Sequence, residues 1–110
     1  MKTVIVPIDK EAEFRMEYNE ESESDVIMIC FSEDDNDKLW EARLYSAINK
    51  EINAGIDEGE SAVISGEEVL KVLYSILDKY EKKVVNPIIP TLKSLTTAAI
   101  RFGTSVHFYY

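Results

Sequence analysis

Cysteine, histidine and tryptophan occur once each, as Cys30, His107 and Trp40, and 110 residues carry only 3 prolines and 4 glycines. One cysteine rules out an internal disulfide, so a reducing, cytoplasmic setting is the expectation. One histidine rules out a metal site built on several imidazoles. No apolar run approaches the roughly 20 residues of a membrane span. The start, MKTVIVPIDKEAE, has neither the apolar core nor the small-residue cleavage site of an export signal. Positive charge is also scarce where a nucleic-acid surface would need it. Residues 1–65 hold 17 acids and 6 bases, whereas residues 66–110 hold 4 acids and 6 bases. Direct binding to nucleic acid or to an anionic membrane is therefore not expected. There is no Gly-rich phosphate loop, nucleophile elbow or basic-aromatic stacking platform, so no enzyme is expected and no cofactor is called for.

What is present is a globular composition, with 45% apolar residues and a net charge of −9. The length suits one domain over residues 1–110, large enough to bury roughly two thirds of its unfolded surface. The chain is organised around residues 25–37, DVIMICFSEDDND. Val26 to Phe31 is apolar without alternation, which reads as a central strand buried on both faces. Before it, Thr3 to Ile8 is β-rich, and Pro7 marks it either as an edge strand or as one that ends near Pro7. Phe14, Met16 and Tyr18 alternate with Arg15 and Glu17, which predicts a half-buried antiparallel strand. The first 31 residues thus read as a three-stranded meander.

Trp40, Leu44, Ala47, Ile48 and Ile52 recur at helical spacing and predict one helix over 34–54. Ala62-Val63-Ile64 reads either as a short strand or as apolar packing under the loop. Ser65 and Glu68 fit a capping box at the start of a second helix, over 66–82. A third helix is predicted over 88–102, with Pro90 in its first turn and Gly103 as its stop. Residues 104–110 alternate and form a last strand. The order βββα(β)ααβ predicts an α+β fold, a largely antiparallel sheet of 4–5 strands packed with three helices.

Chemistry-bearing residues are few. Cys30, inside an apolar strand, is expected to be buried and unreactive, and His107 to be structural. Glu33, Asp34, Asp35 and Asp37 lack the spacing of a calcium loop, so no metal site is expected. Carboxylates at a helix start stay ionised, which does not suit general acid catalysis. The candidate site is instead a surface made by Glu20, Glu21, Glu23, Asp25, Glu33, Asp34, Asp35, Asp37, Asp57, Glu58 and Glu60. Residues 19–25 and 33–37 lie at opposite ends of one strand. Residues 57–60 are expected to return to the 19–25 end, and Tyr18 is a candidate aromatic anchor beside it.

A concentrated negative surface speeds encounter with a positive one and rejects acidic competitors. In length, acidity, α+β pattern and lack of catalytic residues, the chain resembles the small immunity proteins of bacterial toxin systems, including contact-dependent growth inhibition. The resemblance implies an inhibitor that neutralises a basic protein, such as a nuclease-type toxin domain. A nucleic-acid-mimic inhibitor is one alternative, and a small-molecule-binding or enzymatic domain without a visible motif is another. The expected state is a monomer or a weak homodimer through an edge strand, 3–8 or 104–110.

Overall fold

The computed structural model describes residues 2–57 and 61–109. Its elements in chain order are β1 (Lys2–Pro7), α1 (Lys10–Glu17), β2 (Val26–Phe31), α2 (Glu33–Glu41), α3 (Leu44–Ile52), β3 (Ala62–Ser65), α4 (Glu67–Glu81), α5 (Ile88–Phe102) and β4 (Ser105–Tyr109). A 3-10 turn, Glu23–Asp25, leads into β2. The strands form one sheet in the order β2-β1-β4-β3, antiparallel throughout. The α+β class is as predicted. The described helices are five instead of three, and the order is βαβααβααβ.

The last strand enters the middle of the sheet, where Thr3, Val4 and Ile5 pair with Tyr109, Phe108 and His107. β1 and β4 are therefore the central pair, and neither is an edge as residues 3–8 and 104–110 were expected to be. Pro7 is compatible with a central strand because the β4 pairing stops at Ile5, so no ladder bond is lost on that side. Its carbonyl accepts the Thr104 hydroxyl at 2.7 Å. β2, expected at the centre, is an edge strand paired with β1 along its full length. Its apolar run is covered only in part: Phe31 is buried and Ile29 packs against the core, while Ile27 is 38% and Met28 55% exposed. Cys30 is exposed, not buried.

The predicted strand over 14–18 is instead helical. Asp9 caps α1 by accepting the Ala12 N–H at 2.7 Å. The two-residue alternation there hid a four-residue one. Ala12 and Met16 form the buried face, while Phe14 and Tyr18 form an exposed ring pair with centroids 4.9 Å apart.

The predicted helix over 34–54 is broken at Arg43, which sits at φ 66. The break folds α3 back on α2. There the Tyr45 hydroxyl donates to Asn36 Oδ1 at 2.8 Å, and the Trp40 and Tyr45 rings lie 4.9 Å apart. The capping box at Ser65 does not form either. Ser65 ends β3, and the cap position of α4 is Gly66 at φ 94, with no side-chain cap bond. The turn out of the strand requires a positive φ, which glycine adopts without strain. α5 and the final strand follow the predicted positions, with Gly103 at φ 66 closing α5.

α2 to α5 cover one face of the sheet. Val4, Val6, Phe31, Val106 and Phe108 meet the apolar sides of these helices in a single core. α5 docks on α4 through Lys93, whose Nζ reaches Asp78 at 2.9 Å and Glu81 at 3.0 Å. Ala12 and Met16 are buried but lie outside that core, because α1 crosses the opposite face. Among the described residues no helix is long and apolar enough to cross a membrane.

Candidate functional site

Alternation along each strand sends one set of side chains away from the main core. On this outer face the register aligns Val63, His107, Ile5 and Met28 in one row, and Tyr109, Thr3 and Cys30 in the next. α1 covers only part of the face and leaves a groove on each side.

The groove beside β3 is about 440 Å³ and is lined by Glu13, Glu17, Val63, Ser65, Ser105 and His107 among others. In it the Ser105 hydroxyl donates to Glu13 Oε2 at 2.7 Å and lies 2.7 Å from His107 Nε2. Serine has one hydroxyl proton, and Glu13 takes it, so Nε2 must donate to Ser105. Burial holds the imidazole below its usual 6.5, against a smaller opposing pull from Glu13, so the ring is neutral at pH 7. This resembles a nucleophile–base pair in distance only. Ser105 is 1% exposed, which leaves a substrate carbonyl no approach to its oxygen, and the carboxylate sits on the serine instead of orienting the histidine. The chain of bonds ties α1 to β4.

The groove beside β2 is different. It is about 420 Å³, floored by Ile5, Val26 and Met28, and rimmed by Glu21, Ser22 and Glu23. The rim is built by a tightly held connection. After α1, Asn19 adopts φ 55 and the Glu20 N–H returns to the Arg15 carbonyl at 2.8 Å. Arg15 grips the buried Asp25 carboxylate with two bonds of 2.8 and 2.7 Å, and the Ser22 N–H adds a third at 3.0 Å. The Arg15 and Ser22 hydrogen bonds hold the Asp25 carboxyl down to about 2 against an ordinary 3.8. With the loop fixed in this way, Glu20, Glu21 and Glu23 are exposed, and among the described residues none of the three is in an ion pair. The Tyr109 phenol is raised by burial and secondarily by the Glu21 charge.

The predicted acids therefore separate by role and place. Glu21 and Glu23 rim the groove on the outer face, and Glu20 is exposed on the same connection. Asp25 lies beneath them, committed to Arg15. Glu33, Asp34, Asp35 and Asp37 form the start of α2 at the other end of β2, where Ser32 caps the helix through the Asp35 N–H and Asp34 pairs with Lys38. Asp57 lies at that same end, because its carbonyl accepts Lys2 Nζ at 3.1 Å and Lys2 is paired with Phe31. It does not return to the 19–25 end. The break at Arg43 reverses the chain before it reaches there. Glu58 and Glu60 lie outside the described residues.

The apolar floor of Ile5, Val26 and Met28 is not apparent from the sequence, since each lies in a β-rich run that reads as core. Tyr18 is exposed as an anchor would be, although it caps the C-terminus of α1 with its ring tilted against Phe14. Among the described residues no three acidic, cysteine or histidine side chains converge to hold a metal ion. No family model matches the chain, and no curated protein or solved structure matches it.

Proposed function

We propose that this protein binds and neutralises a basic protein partner, as an immunity protein does with a nuclease-type toxin, and that docking uses the outer sheet face beside β2. The observation that carries this reading is the union on one surface of an apolar floor, half-buried at Ile5 and Val26 and exposed at Met28, with unpaired carboxylates. Ile5, Val26 and Met28 line one groove together with Glu21 and Glu23. Carboxylates at a rim accelerate encounter with a basic surface, and the apolar centre supplies binding that salt does not screen. A nuclease cleft is basic because it holds phosphates, so it matches such a rim in sign.

The test is co-purification from the native host, followed by affinity measurements on the recovered partner across a salt series. The triple variant Glu20→Gln, Glu21→Gln, Glu23→Gln is expected to associate more slowly and to lose salt dependence. The partner is expected to be basic, and its activity to be blocked in the complex. A partner that binds the triple variant with unaltered rate and salt response would overturn the reading and leave the acids as a solubility device.

A further inference from the structure

β2 stands at the end of the sheet, and its close neighbours are β1 and the 3-10 turn that leads into it. Among the described residues its outward edge is therefore a row of backbone donors and acceptors without a strand beside them. Proteins ordinarily guard such an edge with a lysine, a proline, a bulge or a covering element. None of the first three occurs in Val26–Phe31, a six-residue strand without a charge. The opposite edge, β3, is four residues long and runs through Gly66 directly into α4. Ile27 and Met28 are 38% and 55% exposed, on opposite faces of β2.

Resting on the reading above, we infer that this edge receives an extended segment of the basic partner, which adds to the sheet as a fifth strand beside β2. The argument for that occupant is charge. Glu20, Glu21 and Glu23 precede the strand, and Glu33, Asp34, Asp35 and Asp37 follow it. A second copy of this chain, paired antiparallel, would set the first group against the second. Paired parallel, it would set each group against itself. Both arrangements bring like charges together, which costs several kcal/mol at an interface. A segment with an uncharged centre of about six residues and Lys or Arg at both ends meets acids at each end in either direction. Backbone bonds supply its affinity, and alternate side chains settle over Val26 and Met28. The strand's length of roughly 20 Å sets the distance between the two basic clusters.

The full chain is tested with a synthetic peptide, Lys-Lys-Val-Thr-Val-Thr-Val-Thr-Lys-Lys, at millimolar concentration, by amide hydrogen exchange resolved along the backbone. Alternate amides of β2 are expected to exchange at least about tenfold more slowly with the peptide bound, because only alternate residues aim at an added strand. The protection is expected to vanish with a Glu-flanked peptide, with an N-methylated centre, in about 1 M salt, and in the variant Met28→Lys, whose urea midpoint is measured alongside. Protection confined to other elements, or none at all, overturns the inference. So does a wild-type dimer in sedimentation whose β2 amides are already protected without peptide. If the Glu20, Glu21, Glu23 variant still weakens partner capture when the β2 amides stay unprotected, strand addition fails and the docking face stands. If neither responds, both fall.

Discussion

Met28→Ala separates an apolar docking face from a merely acidic surface. Complete burial of a methionine side chain contributes about 1.5–3 kcal/mol. Met28 is 55% exposed, so the fold already draws on somewhat less than half of that, and docking stands to gain the rest. Truncation to alanine should then cost folding about 1 kcal/mol and binding about 1 kcal/mol, the latter close to fivefold in Kd. The two losses are read separately, by urea unfolding of the free protein and by calorimetric titration with the recovered partner. Salt provides the control. At about 1 M the Debye length is roughly 3 Å, which screens the contribution of exposed carboxylates but not that of a buried thioether side chain. The loss from Met28→Ala should persist there, while the loss from Glu20→Gln, Glu21→Gln, Glu23→Gln should shrink. A variant with the expected stability loss and an affinity within twofold of wild type at both salt levels would refute the assignment of this face.

Tyr45→Phe keeps the ring contacts to Trp40 and Phe108 but leaves Asn36 Oδ1 buried without its donor, so it should cost about 1–3 kcal/mol of stability, read as a lowered urea midpoint. The Asp25 carboxyl is held down to about 2 from 3.8, so the stability it adds is present above the unfolded value and is lost as pH falls through that interval. Asp25→Asn should therefore be less stable at neutral pH and lose less on acidification than wild type, as unfolding at a series of pH values will check. Cys30 should label with a thiol reagent in the native protein at a rate within several-fold of that in denaturant, and strong protection would contradict its exposed position.

The parts of this fold legible in the sequence were those decided by local pattern. α5, with its apolar stripe, Pro90 in the first turn and Gly103 behind it, is such a case, and so is β4. The parts that were not legible depended on partners distant in the chain. Phe14, Met16 and Tyr18 fit a strand period as well as a helix, and Asp9 decides between them only because α1 has a sheet face to lie on. Val26–Phe31 read as central because apolar density resembles double burial. The strand that occupies the centre, β4, arrives at the end of the chain. Ser65 and Glu68 have the spacing of a capping box, but pairing of Ser65 with Ser105 keeps that residue in a strand. For the candidate site, sequence could count the acids but could not assign them. Asp25 looks like its neighbours until Arg15, 10 residues earlier, is seen to hold it.

That assignment bears on what the acidity is for. If solubility were its whole purpose, the carboxylates would serve equally well anywhere on the surface, and the unguarded edge would still need a charge of its own. Instead β2 contains no charge, and acids stand immediately before and after it. On the proposed reading these are two halves of one arrangement. Charges inside the strand would block every partner, whereas negative charges at its ends repel another copy of the same chain and admit a segment of opposite sign. The staple between Arg15 and Asp25 then has a clear role. It ties the loop bearing Glu20, Glu21 and Glu23 to α1 and to the start of β2, so the repelling groups remain beside the edge they guard. Loosening the staple should therefore raise self-association as well as weaken partner capture. The solubility reading does not predict that pair of effects, and sedimentation of Asp25→Asn at neutral pH will detect the first of them.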